Sequence, residues 1–423
     1  MENEENDKVI ADPIHGMMTF KPYLMKIINH KYFQRLRHIK QLQGVEHVYP
    51  GGVHSRFSHS LGMCYLAGKV LDKLNKETIE TDYEITGLER KCVTISALCR
   101  DIGHGPFSYL YESLGEEFFS DKNEHITRGV EITKIIIDEV QLFNESESEN
   151  AKTMIENMLK GKKVEDMEEE AERKKAFLYQ IVRNEDNGVD VNRWDYICRD
   201  SHACGFVSNF DINRTVSGLR VVPYQTDGID ANVLAFPLKD QINLYNMFNL
   251  RFTLYSKVYY HPVVRCAEEI NSISTKECRS QNKDFCLMDD KLLYLIYHAD
   301  DDSSKLIYAK AIMDRIYDRD FYFCIYTQPL DRSEQIAKVD YGKKTENPIK
   351  DVYFYSKESD YAFKDDPPTS SPMVPQCFEE VTLRVICTLS KTDCDGFKGE
   401  IQSKIKQFID ELINPQRSYC CIL

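Results

Sequence analysis

The chain has 423 residues, of which 42% are hydrophobic and 29% charged, and its net charge is −14 from 54 basic and 68 acidic residues. This composition predicts a folded protein with two or three domains, or one large helical domain with an added lobe. The acidic balance argues against nucleic acid as a partner, and no apolar run reaches the ~20 residues that a membrane-spanning helix needs.

A helical domain is predicted over residues 12–318, after a polar leader at residues 1–11. Residues 145–175 are strongly charged and predict a solvated helix pair with a connecting loop. Apolar residues predict buried helices in three other segments: Ser60–Leu74, the segment from Val93 and Leu244–Val264. Phe177–Val191 also has a buried pattern.

The character of the sequence changes after about residue 319. Aromatic and β-branched runs predict three strands: Phe321–Tyr326, Val352–Tyr355 and Val381–Cys387. A proline-rich loop separates the last two, and an amphipathic helix is predicted over Gly399–Ile413. The fold class is therefore mainly α, a helical core followed by a smaller α+β lobe at residues 319–413.

Three segments carry residue types suited to chemistry beside apolar helix sequence: His54–Gly62, Arg100–Ser108 and Asn187–Asp200. Asp101 and His104 are three residues apart, so they share one helix face or its end. Buried ionisable groups cost free energy unless they are paired or ligated. Any one of these histidines would more often belong to a structural ion pair or cap, whereas three such segments together favour a functional site.

Asp12–Gly16, Phe33–Arg37 and Gly103–Ser108 together resemble the HD-domain deoxynucleoside triphosphate triphosphohydrolases that also carry a sterile alpha motif. The resemblance is dense from Lys8 to about Tyr260 and thinner around residues 347–349, and the sterile alpha motif itself is expected to be missing. It implies an HD-type helical core that converts a dNTP and water into a deoxynucleoside and inorganic triphosphate. The implied cofactor is a divalent metal of the Mg, Mn, Fe or Zn type, held by His, His-Asp and Asp.

The resemblance places two metal ligands at His59 and Asp101 and implies two substitutions, Arg100 for the second His and Asn192 for the last Asp. An arginine is cationic and has no lone pair for a metal, and asparagine offers only a neutral carbonyl oxygen. We therefore expect the divalent ion to bind weakly compared with the full set of ligands.

The catalytic residues implied by the resemblance are His104, His125 and Asp200. Tyr109 stands where the family has a histidine near the leaving 5′ oxygen, and Glu112 stands where it has an aspartate. Neutral tyrosine, with a reference pKa of about 10, is a poor proton shuttle at pH 7.

The residues that would bind the substrate are better retained, with an arginine replacing a lysine at position 193. They are Gln41, Leu42, Arg56, Arg193, Tyr196, Arg251 and Tyr259. Arginine forks suit polyphosphates, so the implied partners are deoxynucleoside triphosphates. Arg100 is a candidate to neutralise phosphate charge in place of the metal.

The family is activated by nucleotides that bind between subunits, and the resemblance implies a homo-oligomer, a dimer or a tetramer. The positions that match these contacts are Lys8, Val9, Gln34, Arg37, Arg214, Lys239 and Asn243. Asn29 replaces the aspartate that binds guanine in the family, and the residues at positions 11, 237, 257 and 346 also differ from those of the family. An amide accepts from the guanine N–H donors less well than a carboxylate, so we expect weak activation by GTP or dNTP.

The printed sequence closes with Cys420-Cys421-Ile422-Leu423, which fits a geranylgeranylation signal at Cys420. The 14 cysteines lack the spacing of a disulfide framework and no signal peptide is present. These features predict free thiols and a cytoplasmic location, with membrane association through the prenyl group, and the resemblance offers the nucleus as an alternative.

Two functions stay open at this point. One is an active dNTP hydrolase, which the overall resemblance favours. The other is a catalytically inactive, nucleotide-binding and oligomerising protein at membranes, which the substitutions at Arg100 and Asn192 favour. Binding of single-stranded nucleic acid is a weaker third alternative because the chain is acidic.

Overall fold

The computed structural model is predominantly helical and carries a smaller sheet-containing part, as predicted. It describes residues 6–77, 83–113, 124–226, 228–268, 288–299, 304–321, 323–330, 338–342, 346–356, 359, 361–364 and 379–387, with a few positions between 399 and 407. Within these ranges, no helix is both long and apolar enough to cross a bilayer. Most of the helix predicted at Gly399–Ile413 and all of the tail with Cys420 lie outside the described residues.

The helices of the first 260 residues enclose one large hydrophobic core. They are α1 (Pro22–Ile28), α2 (Lys31–Gln34), α3 (Arg56–Glu77), α4 (Gly87–Cys99), α5 (Tyr109–Ser113), α6 (Glu124–Glu139), α7 (Glu145–Lys160), α8 (Glu170–Arg173), α9 (Ala176–Val182), α10 (Val191–Ala203), α11 (Ile212–Gly218) and α12 (Gln241–Leu254). The charged segment 145–175 contains α7 and α8, which agrees with the predicted helix pair. Two further helices, α13 (Leu292–His298) and α14 (Ser304–Tyr317), lie beyond this core.

Local capping explains where the helices that build the site begin. Thr86 and Glu89 form a capping box at the start of α4, so the free N–H groups of the first turn have acceptors. The Asp190 carboxylate accepts from the backbone N–H of Arg193 at 3.0 Å at the start of α10. Helix α3 contacts both α4 and α10, and the buried indole of Trp194 lies in the core that they share.

The first strand begins in the segment predicted as a polar leader. β1 (Lys8–Asp12) pairs antiparallel with β2 (Gly16–Phe20), so residues 8–11 belong to a hairpin. Gly16 has φ +71°, a left-handed conformation that glycine adopts without strain. The buried side chains of Met18 and Phe20 anchor β2 to the core.

A four-stranded sheet joins the helical domain to the predicted lobe. Its strands, in the order given, are β3 (Arg220–Thr226), β4 (Ile229–Pro237), β7 (Tyr353–Tyr355) and β8 (Phe363–Lys364). β7 runs parallel to β4, with Phe354 opposite Phe236, and both phenylalanines are buried. This part of the lobe is thus continuous with the core, while the domain boundaries as a whole stay a prediction.

The strands predicted after residue 319 are present among the described residues. A second sheet contains β5 (Phe323–Leu330), β9 (Glu379–Cys387) and β6 (Lys338–Asp340), with β9 in the middle. The long helix predicted over Leu244–Val264 is interrupted, because α12 passes into a π-helical turn at Tyr255–Tyr259 and a new helix covers residues 262–268. π-Turns occur frequently at functional sites.

Candidate functional site

The three segments singled out in the sequence meet where α3, α4 and α10 converge. His59 lies in the first turn of α3, Asp101 follows the end of α4, and Asn192 lies in the first turn of α10. His59 is fully buried, and Asp101 is 5% exposed. The fold therefore brings together side chains that are up to 133 residues apart in the chain.

The Asp101 carboxylate is bound by an arginine. Arg56 donates from Nη1 to Asp101 Oδ2 at 2.5 Å and from Nε to Ser108 Oγ at 2.9 Å. The Nε2 atoms of His59 and His104 lie 3.5 and 4.0 Å from the same carboxylate. Burial alone would raise the pKa of Asp101, but Arg56 and the two histidines hold it well below its usual range. Asp101 is therefore ionised at pH 7 and paired with the Arg56 guanidinium.

The imidazole of His59 is held on both sides by α10. Its Nδ1 lies 2.7 Å from Asp195 Oδ2 and its Nε2 lies 3.0 Å from Asn192 Oδ1. Metal-binding histidines commonly donate from one ring nitrogen to a carboxylate in this manner. His59 thus keeps the orienting partner of a metal ligand, but its other nitrogen faces a neutral amide.

The residues present do not fit the divalent ion that the resemblance implies. Within the described part of the chain, no three His, Cys, Asp or Glu side chains are grouped so that they could hold a metal. His59 and Asp101 remain as donors, and Asp101 already binds the Arg56 guanidinium. The Arg100 side chain donates to the carbonyl oxygen of Val182, and a guanidinium cannot ligate a cation.

His104 and His125 form a stacked pair next to this cluster. Their ring centroids are 4.5 Å apart with an interplanar angle of 12°, and Tyr109 meets the His104 ring edge-on at 5.2 Å. Burial lowers the pKa of His104 well below 6.5 and that of His125 to about 4. Both imidazoles are consequently neutral at pH 7.

A cavity of about 710 Å³ opens beside the cluster and collects the predicted substrate residues. All seven line it, together with Arg100, Asn192 and Asp200. Asp200 accepts from Tyr259 Oη at 2.5 Å and lies 2.8 Å from His54 Nε2. The arrangement is a large concave site with polar groups directed inward, as nucleotide sites require.

Comparison with known proteins agrees with this geometry. The HD domain family model matches residues 56–197, a range that contains α3 and α4 and the first part of α10. The deoxynucleoside triphosphate triphosphohydrolase SAMHD1 homolog of Dictyostelium discoideum is 30% identical over 96% of this chain and 82% of its own length. The Gallus gallus SAMHD1 is 33% identical over 90% of the chain and 72% of its own length, and the Homo sapiens protein is 30% identical over 90% and 70%. The chain belongs to the SAMHD1 family.

This SAMHD1-family chain also has cavity residues that the sequence did not single out. They include Arg183, Glu185, Tyr255, Arg265 and Glu268. They come from loops, from the π-turn and from the helix after it, where no periodic pattern marks a side chain as facing a cavity. Only their position in the fold identifies them.

A buried ion network behind His59 was likewise missed. Arg199 donates to Asp195 at 2.8 Å and to Asp12 at 2.8 Å, and His15 Nε2 lies 2.6 Å from Asp195 Oδ1. The spacing of Asp195 and Arg199, four residues apart in α10, was the available signal. The network fixes α10, and therefore Asn192, against α3.

The residues matched to the family's activator contacts occupy several elements. Arg37 donates to Gln34 at 2.7 Å, and its guanidinium lies 3.6 Å from the centroid of Phe57. Arg214 donates to Asp240 at 2.7 Å. Asn243 is buried and bonded to the backbone of Asp211 and to Thr215, whereas Lys8, Val9 and Lys239 are exposed. Their role in binding an activator stays a prediction.

Proposed function

We propose that the protein binds deoxynucleoside triphosphates in the cavity and that its metal-dependent hydrolysis is reduced or lost. The observation that carries the proposal is the state of Asp101, whose carboxylate is bound by Arg56 at 2.5 Å while Arg100 and Asn192 stand beside it. Family membership supports the ligand class, and the donor set supports the loss of hydrolysis.

The cavity residues have the chemistry that nucleotide binding needs. Arg56, Arg193 and Arg251 offer guanidinium forks to phosphate oxygens. Gln41 and Leu42, on the sugar and base side by resemblance, are mostly buried and line the same cavity. A bound divalent metal would supply charge neutralisation and water activation, and no donor set for it is grouped among the described residues.

The proton-transfer residues support the same conclusion. In the stacked pair of His104 and His125, burial keeps both imidazoles neutral at pH 7. Tyr109 is 58% exposed, and a neutral phenol is a weak acid at that pH. A leaving 5′ oxygen would thus find no efficient proton donor among these three groups. Oligomerisation and prenylation at Cys420 remain predictions from the sequence.

The test is release of inorganic triphosphate from dGTP in the presence of Mg²⁺ or Mn²⁺ and GTP. The unmodified chain should be inactive, and Arg100→His combined with Asn192→Asp should gain activity, because the double change restores the His, His-Asp and Asp ligands. Each single variant, with three of the four donors, serves as the matched control and should stay well below the double variant.

Triphosphate release by the unmodified chain would refute the loss of hydrolysis. An inactive double variant would show that Arg100 and Asn192 are not the cause of the lost hydrolysis. In that case the addition of Tyr109→His would test the proton donor instead.

A further inference from the structure

The arginines of the cavity divide into two groups by their partners. The cavity is lined by six arginines and four carboxylates. Four of the guanidiniums donate to a carboxylate, and the pairs are Arg56–Asp101, Arg183–Glu185, Arg251–Asp340 and Arg265–Glu268. Two arginines, Arg100 and Arg193, remain without such a bond among the described residues.

The Arg193 guanidinium has an unused hydrogen-bond donor. Its Nη1 is buried and has no hydrogen-bond partner in the described part of the chain, and the group lies 5.6 Å from the centroid of Phe248. A buried donor without an acceptor is costly, so the site favours a ligand that provides one. The Nη2 atom of Arg56 is buried without a partner in the same way.

The positive charge of Arg100 is only weakly neutralised by nearby carboxylates. Its nearest carboxylate oxygen, Asp190 Oδ2, lies 3.6 Å away, beyond the length of a hydrogen bond. The Asp190 carboxylate instead accepts from the backbone N–H groups of Asn184 and Arg193 at 3.1 and 3.0 Å. Arg100 donates to the carbonyl oxygen of Val182, which carries no charge. The guanidinium therefore keeps its positive charge next to the cavity.

We infer that the cavity binds the triphosphate without a divalent cation and that Arg100 and Arg193 provide the neutralising charge. The inference rests on the proposed function, since it concerns the same ligand. Two guanidiniums carry the same charge as one divalent ion. A metal-free triphosphate carries about four negative charges at pH 7, one per phosphate and a second on the terminal group.

The same charges disfavour the metal complex of the nucleotide. A divalent ion bound to the phosphates would approach two cations, and the Asp101 carboxylate is already paired to Arg56. The metal also removes two negative charges from the ligand. The free nucleotide should consequently bind at least as tightly as its Mg²⁺ complex.

Isothermal titration calorimetry can test this with dGTP and with inorganic tripolyphosphate, each in EDTA and in excess Mg²⁺. We expect binding in EDTA to be equal to or tighter than binding in Mg²⁺. Arg100→Gln should weaken binding in EDTA by about ten- to a hundredfold, the value of a charged hydrogen bond, and Arg100→Lys should lose less.

The matched control is Arg90→Gln, which removes one positive charge from α4, the helix that Arg100 caps, at a pair with the exposed Asp72. It should leave binding unchanged, and thermal melts should show that each variant is folded. Binding that appears only with Mg²⁺, or that Arg100→Gln does not weaken, overturns the inference and leaves nucleotide binding intact. The absence of binding under both conditions overturns the proposed function itself.

Discussion

The substitution Asp195→Asn tests the buried network behind the site. The carboxylate is fully buried and is contacted by His15 at 2.6 Å, by His59 at 2.7 Å and by Arg199 at 2.8 and 2.9 Å. Burial alone would raise the pKa of Asp195, but Arg199 and the two histidines hold it well below its usual range. Asparagine has the same shape, yet it lacks the charge and directs an NH₂ group at donors.

The expected loss follows from the burial of the partners. Removing one member of a buried charge network costs about 3–5 kcal/mol, because the remaining charge is left uncompensated. At about 2.1 cal/mol/K of unfolding entropy per residue, a chain of 423 residues loses about 1 °C of midpoint for each 0.9 kcal/mol. The thermal midpoint of Asp195→Asn should therefore fall by about 3–6 °C.

The control is Asp72→Asn, which breaks an ion pair with Arg90 of equal length, 2.8 Å, on an aspartate that is 65% exposed. Exposed pairs contribute about 0–1 kcal/mol, so its midpoint should move by about 1 °C at most. Scanning calorimetry measures both variants at pH 7. Equal midpoints for the two would refute the claim that burial of the network determines its contribution.

Three further outcomes follow from the site and the core. Gly62→Ala should destabilise the fold by about 3 kcal/mol or more, because the added Cβ would lie 1.9 Å from Asp195 Oδ1 and 2.7 Å from Arg199 Nη2. Denaturant titration measures this loss of stability. Burial lowers the pKa of His125 from 6.5 to about 4, so the unfolded chain takes up this proton first as the pH falls. The contribution of neutral His125 to the free energy of unfolding, on the order of 3 kcal/mol, is complete above about pH 6.5 and is lost as the pH falls to 4. In His125→Phe, the thermal midpoint should therefore change less between pH 7 and pH 4.5 than it does in the unmodified protein. Burial raises the pKa of four thiols to about 11 or 12: Cys92, Cys99, Cys198 and Cys204. Iodoacetamide at pH 8 should therefore leave these thiols unmodified in the folded protein and modify them once denaturant is added. Mass spectrometry measures the modification.

The grouping of the residues assigned to the substrate was predictable because they lie inside the segments that resemble the family. Every residue assigned to the substrate lines one cavity, although the segments are far apart in the chain. Cys64, Cys92, Cys99, Cys198, Cys204 and Cys266 are free, as the absence of a disulfide spacing predicted.

The features that escaped prediction depend on long-range pairing. His15 and Asp195 are 180 residues apart, and neither residue type at its position indicates the other. The three-residue strand β7 joins a sheet that contains β4, more than a hundred residues earlier. Short strands have little periodicity of their own, and the π-turn at Tyr255–Tyr259 leaves no trace in a pattern that reads as continuous helix.

The parallel pairing of β4 with β7 also affects how the chain is made. Phe354 follows its partner Phe236 by 118 residues, a stretch that a ribosome needs roughly 6–24 s to synthesise. During that time β7 has not yet been made and cannot pair with the edge of β4. Unpaired strand edges tend to pair with other chains. The edge of β4 is therefore a point at which the nascent protein can be captured, by a chaperone or by another copy of itself, before its fold is complete.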